Sequence, residues 1–76
     1  METTITTFKD KSPTLKEMQK LVGGYIEVIY LDSGDQMIVD EEGLLKQKEI
    51  NRDASIIKGN VIVGNVIILK GKAKLN

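Results

Sequence analysis

Residues 25–40 have the sequence YIEVIYLDSGDQMIVD, and this stretch decides the fold class. Residues 25–31 are β-branched, aromatic or aliphatic apart from Glu27, and residues 36–40 have the same character. The intervening Asp32-Ser33-Gly34-Asp35 has the composition of a tight turn. Two apolar runs joined by such a turn predict an antiparallel β-hairpin.

A helix is predicted immediately before the hairpin. Pro13 is compatible with a first helical turn, and Thr14 and Glu17 have the spacing of a capping box. We expect the helix to run to about Leu21. Gly23-Gly24 then supplies a residue that can adopt the left-handed conformation in which helices often end.

The segment that follows the hairpin is less regular. Leu44 to Ile50 fits either a short strand or an extended loop, and residues 1–11 fit either an edge strand or a loose N-terminal arm. Asn51 has the character of a helix N-cap, which predicts a short helix that ends near Gly59.

The last apolar segment repeats itself. Gly59-Asn60-Val61-Ile62 recurs as Gly64-Asn65-Val66-Ile67, an offset of five residues. In a regular strand, an odd offset would direct the side chains of the two copies to opposite faces of the sheet. Either a bulge at Gly64-Asn65 restores the alternation, or the chain turns there and forms two strands. Both faces of Val61 to Leu69 are apolar, which predicts a strand that is central or lies at an interface.

Together these elements predict one α+β domain over residues 1–76. We expect a mainly antiparallel sheet of about four strands with two short helices packed on it, and a split βαβ arrangement is one candidate. A chain this small has few ways to reinforce its core, and it has no Cys. We therefore expect a homo-oligomer that buries part of Val61 to Leu69 or of its neighbours.

The composition argues against catalysis. The chain has no His and no Cys, so the commonest acid–base and nucleophilic groups are missing. Ser12 and Ser33 lie where cap and turn chemistry accounts for them. The acidic residues match no calcium loop, and no glycine pattern matches a phosphate loop. We expect a protein that is not an enzyme and has no metal and no cofactor.

Charge is balanced overall but divided along the chain. The 11 basic and 11 acidic residues cancel, which argues against a nucleic acid polymer as partner. Four lysines face nine acidic residues up to Leu45, whereas seven basic residues face two acidic ones afterwards. A basic C-terminal half favours a small anion. The sequence offers neither a signal segment nor a membrane span, so we expect a cytoplasmic protein with no membrane partner.

Six residues are candidates for holding such an anion, in a pocket that we expect to lie between subunits. Arg52 is the only arginine, and its guanidinium can pair with phosphate or stack on a base. The other candidates are Asn51 as an amide donor, Lys58 and Lys70 as phosphate-binding cations, Tyr25 as a stacking face and Glu27 as a carboxylate acceptor. Tyr25 and Tyr30 lie an odd number of residues apart, so in a regular strand one faces the core and the other faces outward.

Residues 14–28, TLKEMQKLVGGYIEV, resemble the opening motif of a family of small phage- and plasmid-borne domains of unknown function, with the pattern LQ-x-x-VGGYIEV. Asp40-Glu41-Glu42-Gly43 and Asn51-Arg52-Asp53-Ala54 resemble that family's NEEG and N-x-x-A elements, with Asp40 where the family often has Asn. The resemblance implies a viral context. Small phage proteins include oligomeric sponges that sequester the cyclic nucleotide signals of bacterial CBASS immunity.

By this analogy of context, the expected function is a phage-encoded protein that evades host immunity by binding and sequestering a cyclic nucleotide signal in the host cytoplasm. The alternative is a small protein-interaction module that inhibits a host enzyme.

Overall fold

The computed structural model describes residues 2–76, and within them four strands form one sheet. The strands are β1 (Ile5–Phe8), β2 (Ile26–Tyr30), β3 (Gln36–Asp40) and β4 (Val66–Leu69), and the helices are α1 (Leu15–Val22) and α2 (Arg52–Lys58). A 3-10 turn, Gly71–Ala73, follows β4. The predicted small α+β fold is confirmed.

The strand order is β1-β4-β3-β2, so the last strand lies in the centre of the sheet. β2 pairs with β3 and β3 with β4 in antiparallel fashion, whereas β1 pairs with β4 in parallel, with Ile5 opposite Val66. As a result β1 and β2 run in the same direction, and α1 connects them across β4 and β3. This is a split βαβ arrangement with two strands between its halves.

Both helices begin at the predicted caps. Thr14 and Glu17 form a reciprocal capping box: the Thr14 hydroxyl accepts from the Glu17 amide at 3.1 Å, and the Glu17 carboxylate accepts from the Thr14 amide at 2.8 Å. α2 begins after Asn51, whose side chain accepts from the Ala54 amide. Gly23 and Gly59 end the two helices in the left-handed conformation, with φ of 86° and 79°.

The core has two halves, one on each face of the sheet. On one face α1 contributes Met18 and Val22, which pack against alternate residues of β3 and β4, among them Ile38 and Ile67. On the other face α2 contributes Ala54, and Ile62 from the following loop packs beside it; the strand residues of this cluster are Met37, Val39, Val66 and Ile68. Helices on opposite faces therefore bury both sides of the two central strands.

This arrangement corrects the reason given for self-association. Ile67 is 0% exposed and Ile68 4% exposed within a single chain, so the fold itself covers both faces of β4. The expectation of a central strand is right, while the expectation that β4 needs a second subunit to cover it is wrong. β4 itself is therefore not available to a second subunit, whereas Val61, at the start of the same segment, is 59% exposed.

The repeated segment adopts one of its two open alternatives, whereas the segment after β3 forms neither the expected short strand nor an extended loop. Gly64 has a φ of 78° and bends the chain between an isolated bridge at Val63 and β4, so the repeated segment contains one strand preceded by a kink. Residues 41–47 form consecutive turns, with Gln47 at a φ of 55°, before Ile50 bridges to Val63. Over residues 2–76, no helix has the length and apolar character needed to cross a membrane.

Gly23 and Gly24 provide a test of how α1 is joined to β2. Gly23→Ala places a side chain at positive φ, which we expect to cost about 1 kcal/mol in the free energy of unfolding. Gly24 has no such strain, but a Cβ there would lie 2.5 Å from Lys46 Nζ and 3.0 Å from the Asp40 carboxylate. Gly24→Ala should therefore also destabilise, by up to about 1 kcal/mol, because the partly exposed Lys46 must move away from Asp40.

Urea unfolding of both variants measures these costs. Gly59→Ala is the matched control for strain without a clash, since nothing lies within 4 Å of a Cβ at Gly59. A Gly24→Ala variant as stable as the wild type would contradict the packing of Lys46 against this turn.

Candidate functional site

Asn51 lies at the centre of the candidate site and is almost fully buried, at 2% exposed. Its Nδ2 donates to the Thr4 carbonyl at 3.1 Å and to the Gly64 carbonyl at 2.9 Å, and its Oδ1 accepts from the Ala54 amide at 3.1 Å. Both amide hydrogens are thus used within the chain. The side chain joins β1, the kink before β4 and the start of α2, and it has no donor left for a ligand.

Arg52 follows Asn51 and has the opposite character, since its side chain is exposed. It borders a depression of about 330 Å³ formed by residues 2–3 and 49–53. Within residues 2–76, the Arg52 guanidinium has no hydrogen-bond or ion-pair partner. The same depression is lined by the carboxylates of Glu2, Glu49 and Asp53, so its charge is mixed and on balance acidic.

The remaining four candidates lie elsewhere. Lys58 is at the far end of α2, roughly 9 Å from Arg52 along the helix axis. Lys70 follows β4 and lies roughly 20 Å along the strand direction from Gly64, whose carbonyl binds Asn51. The Lys70 Nζ binds the Asp35 carboxylate at 2.6 Å. The predicted six-residue site is therefore not assembled within one chain.

Glu27 belongs to β2, and Tyr25 directly precedes this strand. β2 is three strand spacings, roughly 14 Å, from β1 and the Arg52 depression. Tyr25 is 69% exposed and Tyr30 71% exposed. The prediction that one of these rings faces the core applied to a regular strand containing both residues, and β2 does not include Tyr25. Tyr25 precedes the regular strand, and Tyr30 lies at its end, where the sheet edge leaves the ring uncovered.

An ionic cluster around the buried Asp40 carboxylate lies at the same end of the sheet as Asn51, and no sequence pattern predicted it. The Asp40 side chain is 1% exposed, and its Oδ2 binds Lys46 Nζ at 2.8 Å and Lys48 Nζ at 2.6 Å. The two lysines also donate to the carbonyls of Val22 and Gly23 at the C-terminal end of α1. Asp40 thus fixes two cations where the helix dipole is negative.

The electrostatics of this cluster favour the charged carboxylate. Burial acts to raise the pKa of Asp40, but hydrogen bonds from Lys46, Lys48 and the Glu42 amide outweigh it and lower the pKa from 3.8 to about 2. Lys46 and Lys48 flank Gln47, which has a positive φ of 55°, in the turns that follow Asp40. A left-handed glutamine has no recognisable signal in sequence, which explains why the cluster was missed.

The acidic residues near the hairpin do not form a cation site. Asp35 is bound by Lys70 and Asp40 by two lysines. In the part of the chain from residue 2 to 76, no group of three or more acidic, His or Cys side chains is arranged to hold a metal ion.

These features define a small α+β domain with a mixed-charge depression at the start of α2 and an ionic cluster that anchors α1. A family model described as a domain of unknown function, DUF3846, matches residues 1–74. The chain belongs to this family of domains of unknown function. No curated protein and no solved structure matched the chain.

Asn51→Asp tests whether residue 51 acts through its amide hydrogens. Asp is as good an N-cap as Asn, so α2 keeps its cap. However, a carboxylate oxygen then faces the Thr4 and Gly64 carbonyls, which both lose their donor. We expect a loss of about 2–4 kcal/mol in the free energy of unfolding.

Chemical denaturation followed by circular dichroism measures this loss. Asp53→Asn, an exposed change of charge in the same helical turn, serves as the control and should cost less than about 0.5 kcal/mol. Equal stability of Asn51→Asp and the wild type would show that the two donated hydrogen bonds contribute nothing.

Asp40 gives the protein a specific pH dependence. Because its pKa is about 2 in the folded chain and 3.8 ordinarily, its stabilising effect is complete above about pH 5 and is lost as pH falls toward 2. We expect this residue to contribute about 1–2 kcal/mol of the acid-induced loss. Asp40→Asn should be less stable near neutral pH, because both lysines lose their partner, but should lose less stability on acidification.

Urea midpoints measured between about pH 6 and pH 2 test this directly. Asp32→Asn, in the exposed hairpin turn, should retain the wild-type pH profile. A profile for Asp40→Asn that parallels the wild type would contradict the lowered pKa.

Proposed function

We propose that this domain is a non-catalytic binding protein that sequesters a cyclic nucleotide signal at the depression beside Arg52. The observation that carries the proposal is an exposed guanidinium, without a partner among residues 2–76, at the border of a depression of about 330 Å³. That volume lies within the usual range for small-molecule sites. In the viral context that the motif resemblance implies, the protein acts as a phage-encoded sponge against CBASS immunity.

Arg52 is the phosphate-binding group in this proposal. A guanidinium forms two parallel hydrogen bonds with phosphate and also stacks on a base, so one residue can hold either part of a nucleotide. Of the other candidate cations, Lys70 is bound to Asp35, and Lys58 lies at the far end of α2. Asn51 contributes by shaping the depression rather than by binding, because its amide is already used.

The carboxylates of the depression determine which nucleotide it favours. Glu2 and Asp53 repel phosphate, but a carboxylate accepts hydrogen bonds from N–H groups. A guanine edge presents such donors at N1 and N2, whereas the corresponding edge of adenine presents only its amino group. The mixed lining therefore favours a guanine-containing cyclic dinucleotide over one that contains only adenine.

A second candidate function, inhibition of a host enzyme, is favoured by a different observation. An apolar patch surrounds the half-buried Val63: Ile50 pairs with it in an isolated bridge, and Leu44 and Val61 share a small cleft with it. All three of these neighbours are exposed, and Glu41 lines the same cleft. Such a surface fits a protein segment with an apolar anchor next to a Lys or Arg.

Titration calorimetry with a panel of cyclic di- and trinucleotides tests the nucleotide proposal. We expect binding that Arg52→Ala weakens by about 2 kcal/mol or more, since a charge-assisted hydrogen bond to phosphate is lost. Asp53→Asn should reduce the preference for guanine over adenine. Lys16→Ala, which removes an exposed cation from α1 on the other face of the sheet, should bind like the wild type.

Absence of heat with every member of the panel would exclude the sponge. Equal binding by wild type and Arg52→Ala would instead exclude this site. A phage-protection assay in a host that carries CBASS separates the two functions: Arg52→Ala should abolish the effect of a sponge, whereas Leu44→Lys and Val61→Lys should abolish that of an enzyme inhibitor.

A further inference from the structure

The outer edge of β2 has unpaired backbone groups. The Glu41 amide donates to the Tyr25 carbonyl at 2.8 Å, and the Leu31 amide donates to the Asp35 carbonyl at 3.0 Å. Because hydrogen bonding alternates along an antiparallel strand, Glu27 and Ile29 also face β3. The amides and carbonyls of residues 26, 28 and 30 therefore point away from the sheet, and none of them has a partner within residues 2–76.

The β2 edge also lacks the features that usually prevent an exposed sheet edge from pairing with another strand. Residues 25–31 contain no Pro, no Gly and no Lys, and Glu27 is their only charge. The exposed rings of Tyr25 and Tyr30 lie at its two ends. The opposite edge of the sheet differs, because β1 has only four residues and is followed by Lys9 and Asp10. An open, apolar edge of this kind binds another strand.

We propose that the occupant of this edge is a second copy of the chain, paired antiparallel through β2 about a two-fold axis at Val28. A two-fold axis perpendicular to the sheet keeps each helix on its own face. Such an axis lies midway between one residue and the same residue of the partner, so that these two residues pair with each other. With the axis at Val28, residue 26 pairs with the partner's residue 30, and the two copies of Val28 pair with each other. All the outward groups are then satisfied, in about six hydrogen bonds.

The side chains support this register. Tyr30 lies opposite the partner's Ile26, and Tyr25 lies opposite the partner's Leu31, so each exposed ring covers an apolar side chain that one copy leaves partly uncovered. Glu27 lies beside the partner's Ile29, which keeps the two Glu27 carboxylates on a diagonal. With the axis at Glu27, the two carboxylates would be directly opposite, and like charges there destabilise a sheet.

The available area sets the strength of the association. A fully enclosed tyrosine buries roughly 150–250 Å², so two rings that are 69% and 71% exposed contribute roughly 200–350 Å² per copy. A standard interface buries about 800 Å² per partner. The strand backbone and neighbouring apolar groups add further buried area to that of the rings. The total places this dimer interface toward the small end of the range of interface areas, so the fraction of dimer should depend on protein concentration.

A copy of this chain fits the edge better than an unrelated extended peptide. Any strand could satisfy the backbone groups, but β2 itself provides an apolar residue at both positions that face the tyrosines, with identical spacing at each end. This inference is independent of the proposed nucleotide site, because the Arg52 depression lies at the opposite edge of the sheet.

Sedimentation velocity over a range of protein concentrations is the first test. We expect the wild type to form a dimer, and Tyr30→Lys to raise the dimer dissociation constant by about tenfold or more. Ile56→Lys is the matched control: Ile56 is an exposed apolar residue of α2, away from the β2 edge, and its replacement should leave the dissociation constant unchanged.

Amide hydrogen exchange provides a second test that identifies the surface. The amides of residues 26, 28 and 30 should be protected in concentrated wild-type protein and should lose that protection on dilution or in Tyr30→Lys. The amides of residues 27 and 29, which bond to β3, should stay protected throughout. A wild type that remains monomeric at millimolar concentration would overturn the proposal, as would a dimer in which these three amides exchange as fast as in the monomer.

Discussion

The two central strands must be covered on both faces, and the rest of the structure follows from this requirement. β3 and β4 are buried along their whole length, with apolar side chains directed to both sides of the sheet. One helix cannot cover two faces, so α1 lies on one side and α2 with its following loop on the other. Among the four strands, only the edge strands β1 and β2 are left with exposed side chains.

Two buried polar groups fix the helices in these positions. Asn51 joins the start of α2 to β1 and to the kink at Gly64, and Asp40 joins the end of α1 to the loop after β3. Each lies at the same end of the sheet, and each has every polar atom satisfied within the chain. Polar groups of this kind specify a unique arrangement because any shift would leave them unpaired at a large cost in free energy.

Local signals allowed much of this fold to be predicted from sequence. The capping box at Thr14, the Asn51 cap and the turn at Asp32 to Asp35 are each encoded within a few residues, and the structure contains all three elements. The strand order, the Asp40 cluster and the distribution of the six candidate site residues depend on contacts between distant segments. Alternation predicted one inward tyrosine only for a regular strand that contains both, but Tyr25 precedes β2 and Tyr30 lies at its end, and both rings are exposed.

The parallel pairing of β1 with β4 has a consequence for the order in which the chain can fold. Thr4 donates its amide to Asn65, 61 residues later, and β4 separates β1 from every other strand. During synthesis, therefore, β1 has no neighbour in the sheet until β4 has been made, and β3 has one open edge until that moment. The β2–β3 hairpin is the one strand pair that nearby residues can form, so the nascent chain carries an incomplete, apolar sheet that the last strand closes.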